Sequence, residues 1–152
     1  MDAYKPPQAD LEEDEAPDFK PIRALVYGLL VAIVATLVAS MIEGFIFAFF
    51  HAGLNEEQLY RAFAESYSFL ITDTLLTVSI LYLAGVVVKT YAARRAILFA
   101  GIVSAITLAV MVPLILLSSN KSQFPLWYNI TISSAIVWAI LLGASSFPGK
   151  KL

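Results

Sequence analysis

Long apolar runs alternate with short polar stretches along the chain of 152 residues. The apolar runs cover about residues 22–50, 67–88, 96–117 and 126–147, the last including the small residues that follow Leu142. A hydrocarbon core of about 30 Å needs about 20 helical residues, so each run is long enough to cross it. The pattern therefore predicts an all-α fold, an integral membrane four-helix bundle.

The polar stretch NEEQLYRAFAES after the first run predicts a short amphipathic helix over about 55–65, at the outer surface. Asn55 and Gln58 have the spacing of a capping box, and apolar residues then recur at helical spacing. An early start of the next apolar helix is the alternative that the sequence leaves open.

The two ends of the chain carry most of the charge. Residues 1–21 hold seven acids, two lysines and four prolines, a composition that does not bury enough apolar surface to fold alone. We expect a disordered acidic cytoplasmic tail there and a basic cytoplasmic end at 148–152. Eight lysines and arginines lie on the side of the termini and two on the other, so the positive-inside rule places both termini in the cytoplasm.

The composition limits the kinds of functional site that the chain can form. The chain is 59% hydrophobic and 14% charged, against about 45–50% and 25% in soluble domains. It has no cysteine and a single histidine, His51, which argues against a metal site. Sequence motifs of hydrolases, zinc proteases, phosphate loops and dinucleotide folds are absent. We therefore predict no catalytic residue, no cofactor and no nucleic-acid partner.

Small residues recur every three or four positions in three of the runs, and such stripes mark helix–helix contacts in membranes. The predicted packing residues are Gly28, Ala32, Ala35 and Ala39 in the first run, Gly101, Ala105 and Ala109 in the third, and Ala135, Ala139 and Gly143 in the fourth. Pro113 is predicted to kink the third helix.

Two acids interrupt the apolar runs. Glu43 continues the small-residue stripe of the first helix, and Asp73 shares a stripe with Thr77 in the second. Intramembrane acids are functional candidates, and we predict a polar site of Glu43, Asp73, Thr77 and Asn129. Two carboxyl groups close together resist joint ionisation, which suits a proton or cation site. Arg61 of the outer segment is a basic residue that could fold over them.

A purely structural role is the alternative for the same acids. Glu43 would reach water at the outer interface, and Asp73 would hydrogen-bond to a neighbouring helix. The inner halves of the first two helices are almost purely aliphatic, which argues against a continuous channel.

Four segments of the chain resemble those of a loose group of small bacterial four-helix inner-membrane proteins with a Tyr-x-Pro-Pro-like start. They are YKPPQADL at 4–11, NEEQLYRAFAES at 55–66, AGVVVKTYAARRAILFAGIVSAITL at 84–108 and PLWYNI at 125–130. The resemblance implies a multi-pass protein of the bacterial inner membrane, and it brings no activity and no site residue with it.

Three functions fit these patterns. The first is a non-enzymatic accessory, assembly or regulatory subunit in the lipid bilayer, which binds another membrane protein or copies of itself through helix packing and its acidic tail. The second is an ion- or proton-coupled transport component that uses Glu43 and Asp73. The third is a lipid-acting enzyme with Glu43, Asp73 and His51 as acids or bases, although no nucleophile or metal set accompanies them.

Overall fold

A computed structural model of the chain describes residues 20–117 and 124–146. This part of the chain is all-helical and contains no strand, which confirms the predicted fold class at that level. Its helices are α1 (Pro21–Phe50), α2 (Glu56–Glu65), α3 (Tyr67–Ala92), α4 (Ala96–Leu117) and α5 (Leu126–Ser145). The predicted tail, apart from its last two residues, and the predicted basic end lie outside the described residues.

The first long helix changes its packing partners along its length. α1 starts at Pro21, whose fixed φ suits the first helical position, and contains a π-helical turn at Leu30–Ala35. Before that turn, α1 packs against α3 and α4; from Thr36 onward it packs chiefly against α3. The π-helical turn thus lies where α1 leaves α4.

The segment after the first apolar run forms a separate helix, Glu56–Glu65, and is not an early start of the next apolar helix. Asn55 Oδ1 accepts a hydrogen bond from the Gln58 N–H at 2.9 Å, and Gln58 Oε1 accepts one from the Asn55 N–H at 3.1 Å. This capping box starts α2. At the other end of α2, Ser66 leaves the helical conformation with ψ 87°, and α3 begins at the next residue.

α3 and α4 form a hairpin. α3 continues past its predicted end near Val88, and the short 3₁₀ turn Ala93–Arg95 joins it to α4. A Cβ added at Gly28 of α1 would lie 2.5 Å from Val88 and 3.2 Å from Val103 of α4. The two valines therefore lie side by side, on adjacent antiparallel helices. We call this end of the bundle the hairpin end and the opposite one the α2 end.

Three helical stretches are long and apolar enough to cross a membrane, namely Pro21–Phe50, Tyr67–Leu114 and Leu126–Ser145. The middle stretch contains both helices of the hairpin. α4 is continuous through Pro113.

The tightest packing joins α3 to α5. A Cβ added at Gly143 would lie 2.0 Å from the Tyr82 carbonyl oxygen, and one added at Gly85 would lie 2.1 Å from the Ile140 carbonyl oxygen. The two backbones touch because neither glycine carries a side chain, as in other small-residue contacts of apolar helices. Gly143 belongs to the predicted stripe of α5, whereas Gly85 was not predicted.

Two of the three predicted small-residue stripes face the other helices of the bundle. Those of α1 and α5 face the bundle, with Ala35 and Ala39 half-buried and the others buried: Gly28, Ala32, Ala135, Ala139 and Gly143. The stripe predicted for α4 does not face the other described helices, since its members lie on the exposed side of the helix: Gly101, Ala105 and Ala109. A second stripe of small residues on α4 is buried against the neighbouring helices. It consists of Ala96, Ala100 and Ser104.

Candidate functional site

The two acids of the apolar helices come together near the α2 end. The side chain of Glu43 on α1 interacts directly with that of Asp73 on α3. Asp73 is buried, with 6% of its surface exposed. Tyr128 in the first turn of α5 donates a hydrogen bond to Asp73 Oδ2 at 2.5 Å. We call Glu43, Asp73 and Tyr128 the carboxyl cluster; it joins three helices.

Helical spacing places further polar residues beside this cluster. Thr36 and Ser40 precede Glu43 on α1 by seven and three positions, and residues at such intervals share one helix face. Thr77 lies one turn after Asp73 on the buried face of α3. Both helices thus present further polar side chains on the hairpin side of the cluster.

These side chains line a cavity of about 330 Å³ between α1, α3, α4 and α5. Its polar lining consists of Thr36, Ser40, Asp73, Thr77, Thr107, Tyr128 and Asn129. Its remaining walls are apolar: Ala32, Leu37, Leu81, Met111, Leu114, Phe124, Ile132 and Ile136. The volume lies at the small end of the range found for ligand sites.

Several oxygen atoms in and beside the cavity lack hydrogen-bond partners among the described residues. They are Thr36 Oγ1, Glu43 Oε2 and Thr107 Oγ1, all buried. Thr107 is fully buried, with 0% of its surface exposed. An unsatisfied buried polar group costs about 1–3 kcal/mol. The cavity therefore offers acceptors that a bound donor or a positive charge would satisfy.

A second cavity of about 350 Å³ lies between α1 and α2 and shares Ser40 and Phe124 with the first. Beside it, four rings form four edge-to-face pairs at centroid distances of 4.4 to 5.7 Å. This aromatic cluster consists of Phe47, Phe63, Phe69 and Phe124. It holds α2 against the bundle, since Phe63 is the member that α2 contributes.

The other predicted polar residues are placed differently. Thr77 and Asn129 line the same cavity as Asp73, but the Asn129 amide donates to the Phe124 and Pro125 carbonyl oxygens at 3.5 and 3.4 Å. Asn129 therefore also supports the start of α5. Arg61 does not cover the acids, because it pairs with the exposed Glu57 at 2.9 Å.

His51 has a local structural role in the described contacts. Its Nδ1 lies 2.9 Å from the Phe47 carbonyl oxygen, and its ring stacks on Phe47 at 4.1 Å. Within residues 20–117 and 124–146, no group of three or more His, Cys, Asp or Glu side chains is placed to hold a metal ion.

Sequence reasoning missed four polar residues of the site. Tyr128 starts an apolar helix, a position equally typical of an aromatic residue at the membrane interface, and Thr36, Ser40 and Thr107 were not singled out. The spacing between Thr36 and Glu43 is a signal that the sequence contains. Tyr128 directly precedes the predicted Asn129, but nothing in its surroundings specifies a bond to α3.

The site is suited to a positive charge and is closed toward one end of the bundle. None of the lysines and arginines in the described part of the chain lines the cavity, so its carboxyl and hydroxyl oxygens face no basic side chain there. Toward the hairpin end it is closed by Ala32, Leu81 and Ile136, which are all buried. The polar lining therefore ends within the bundle.

No family model, curated protein or solved structure matches this chain. A functional assignment therefore depends on the carboxyl cluster and on the surfaces of the helices.

Proposed function

We propose that this chain is a multi-pass protein of the bacterial inner membrane, crossed four times by α1, α3, α4 and α5. The length and apolar character of the helical stretches support this. Large apolar side chains also cover the outside of α1, where Met41, Phe45 and Phe49 are more than two-thirds exposed. A continuous apolar surface of this kind is rare on soluble monomers and is favourable in lipid.

We place the hairpin end and both termini in the cytoplasm. The described basic residues of that end are Lys20, Arg23, Lys89, Arg94 and Arg95. The α2 end carries Arg61. The positive-inside rule favours the more basic end on the cytoplasmic side.

The absence of cysteine from the sequence makes this orientation directly testable. We expect a membrane-impermeant maleimide to label Glu57→Cys in intact spheroplasts, and to label Thr90→Cys only after permeabilisation. Both positions are exposed. The reverse labelling pattern would contradict the proposed orientation, and labelling of both in intact spheroplasts would contradict membrane insertion.

Within this membrane protein, the carboxyl cluster binds a proton or a small cation and serves as the binding component of ion-coupled transport. The observation that carries this proposal is the cavity in which the buried Asp73 lies with the unpartnered hydroxyl oxygens of Thr36 and Thr107, beside Glu43. Two ionised carboxylates in a low-dielectric interior repel each other, and a proton or cation between them relieves the repulsion. The unpaired Thr107 oxygen beside them adds a further acceptor.

Binding fits the geometry better than continuous conduction does. A channel needs polar groups along its whole depth, whereas the core toward the hairpin end is apolar, with Ala24, Val88, Val103 and Ile140 buried. Transport would therefore require the helices to move so that the cluster becomes accessible from the other side.

Flux through reconstituted liposomes tests this function. We expect a membrane potential to drive protons into liposomes that contain the protein, reported by a trapped pH-sensitive dye. Asp73→Asn should abolish the flux and Glu43→Gln should reduce it, while Glu65→Gln, at an exposed acid of α2, should leave it unchanged. Equal flux in wild type and Asp73→Asn, or no flux in either, would remove the proposal.

The exposed stripe of α4 favours a second function, that of an accessory, assembly or regulatory subunit. Gly101, Ala105 and Ala109 face away from the other described helices. A small-residue face of this type allows close approach of another helix, from a partner protein or a second copy of the chain. The acidic N-terminal segment, which lies outside the described residues, would add a charged contact in the cytoplasm.

Crosslinking in the native membrane, followed by mild extraction and mass spectrometry, tests this second function. A defined companion whose crosslinks disappear in Gly101→Leu would support it. A monomeric protein with no crosslinked companion would remove its basis. Ile97→Leu on the same helix, which keeps an exposed aliphatic side chain, is the matched control.

A further inference from the structure

The cavity beside the carboxyl cluster has an apolar rim on the side of the bundle. Leu37 on α1 and Leu114 on α4 both line the cavity, and they are 43% and 51% exposed. α1 packs chiefly against α3 from Thr36 onward, which leaves a gap between α1 and α4 at this level. The cavity therefore opens sideways between two apolar helices.

The deep wall of the cavity accepts hydrogen bonds and positive charge. Asp73 lies there, with Glu43 in contact with it. The buried hydroxyl oxygens of Thr36 and Thr107 lack described partners, and Thr107 is itself fully buried. A primary ammonium group supplies three N–H donors together with a positive charge. It is a chemical group that satisfies both the carboxyl and the hydroxyl oxygens.

The remaining walls favour an organic molecule over a hydrated metal ion. Leu81, Met111 and Ile136 add apolar surface to the lining of the cavity. Hard metal cations prefer a shell of about six or more oxygen ligands, which these walls do not complete. The rings of Phe124 and Tyr128 also line the cavity, 5.5 Å apart, and aromatic faces attract organic cations.

We propose that the cavity binds a small hydrophobic ammonium ion, which enters from the lipid between Leu37 and Leu114. This inference rests on the proposed membrane location and cation site. The ammonium group lies against Asp73 and Glu43, and the apolar part of the molecule lies along Leu81. Because the molecule is amphipathic, it concentrates in the bilayer and reaches the cavity through its apolar rim.

Calorimetric titration of the full chain in lipid nanodiscs tests the ligand class, with empty nanodiscs as the blank. The probe is 2-phenylethylammonium, and the comparison is 2-phenylethanol, which has nearly the same shape but no charge. We expect saturable binding of the ammonium and binding of the alcohol weaker by about tenfold or more, a difference of about 1.4 kcal/mol. Asp73→Asn should weaken ammonium binding to a similar degree, and Glu65→Gln should leave it unchanged.

The rim is tested with a matched pair of substitutions. Leu37→Trp narrows the proposed opening, whereas Val38→Trp changes a neighbouring residue, 49% exposed, that does not line the cavity. We expect slower and weaker ammonium binding in Leu37→Trp and wild-type behaviour in Val38→Trp. Both residues are exposed on α1, so the fold tolerates either side chain, and gel filtration of each variant checks this.

The binding and flux measurements together distinguish the charge requirement, the lateral route and the transport function. Equal affinity for 2-phenylethanol and the ammonium would overturn the charge requirement, and equal binding in the two tryptophan variants would overturn the lateral route. No ammonium binding, with Asp73-dependent proton flux retained, would overturn this inference and leave the proposed transport function standing. Asp73-dependent ammonium binding without proton flux would support the ligand class and remove the transport function.

Discussion

The hydroxyl group of Tyr128 and the carboxyl group of Asp73 share a hydrogen bond of 2.5 Å that links the start of α5 to α3. Since Asp73 also interacts with Glu43 on α1, this bond holds in place a carboxyl group that lies beside a second acid. Tyr128 is therefore a positioning residue for the cluster.

We expect Tyr128→Phe to lower the free energy of unfolding by about 1–2 kcal/mol. It removes a hydrogen bond to a buried carboxyl group, and such bonds contribute somewhat less between apolar helices in lipid. Denaturant unfolding in detergent micelles measures the change. The control is Tyr67→Phe, at a residue 66% exposed, and equal destabilisation of the two variants would contradict the role assigned to Tyr128.

Substitution of the glycines between α3 and α5 should separate those helices. A Cβ at Gly143 would meet the Tyr82 carbonyl oxygen at 2.0 Å, and backbone atoms have little freedom to move aside. We expect Gly143→Ala to destabilise the protein by about 1–3 kcal/mol, as overpacking usually does. Gly101→Ala is the control, because a Cβ there meets nothing within 4 Å; it should be neutral or stabilising. The melting temperatures of the two purified variants, compared with that of the wild type, test both expectations.

Phe63 should hold α2 in place. Its ring packs against Phe47, Phe69 and Phe124, and each aromatic pair contributes about 0.5–1.5 kcal/mol beyond its buried area. We expect Phe63→Ala to raise the rate of amide hydrogen exchange throughout α2 by about tenfold or more. Phe49→Ala removes a ring that is 71% exposed and should leave that exchange rate unchanged. Unaltered exchange in Phe63→Ala would show that other contacts hold α2.

The turn between α3 and α4 should tolerate glycine better than its natural residue. Ala93 has φ 46° and ψ −115°, which are close to the first central position of a type II′ turn, where glycine is favoured. We expect Ala93→Gly to stabilise the protein by about 1 kcal/mol, because the strain of a Cβ at positive φ disappears. Ala92→Gly, in the last turn of the helix, should destabilise it instead. A lower melting temperature in Ala93→Gly than in wild type would contradict the assigned strain.

The apolar runs of the sequence predict the helices well, and the small-residue stripe of the first helix predicts that Glu43 faces other helices. Whether Glu43 meets Asp73 does not follow from the sequence, because it depends on how α1 and α3 are placed relative to each other. Tyr128 was not predicted as their partner, because an aromatic residue at the start of an apolar helix is equally typical of the membrane interface. The bond depends on the relative position of α3 and α5, which local sequence does not determine.

The exposed position of the predicted α4 stripe has a similar cause. Small residues occupy two stripes of that helix: one starts at Ala96 and continues through Ala100, and the other starts at Gly101. Equivalent members of the two stripes, such as Ala100 and Gly101, are one residue apart, so they face directions about 100° apart around the helix. Spacing alone gives no reason to choose between them. The choice depends on Val103 and Thr107 as well, which are buried on the same side as Ala96 and Ala100.

The brevity of the α3–α4 connection has a consequence for biosynthesis. Ala93–Arg95 spans 3 residues, and an extended chain covers at most about 3.6 Å per residue. This link is far shorter than the roughly 30 Å of a hydrocarbon core. In the proposed membrane, α4 therefore re-enters the bilayer on the side from which α3 emerges, directly beside it. We expect the two helices to insert as one hairpin, with Arg94 and Arg95 retained on the cytoplasmic side.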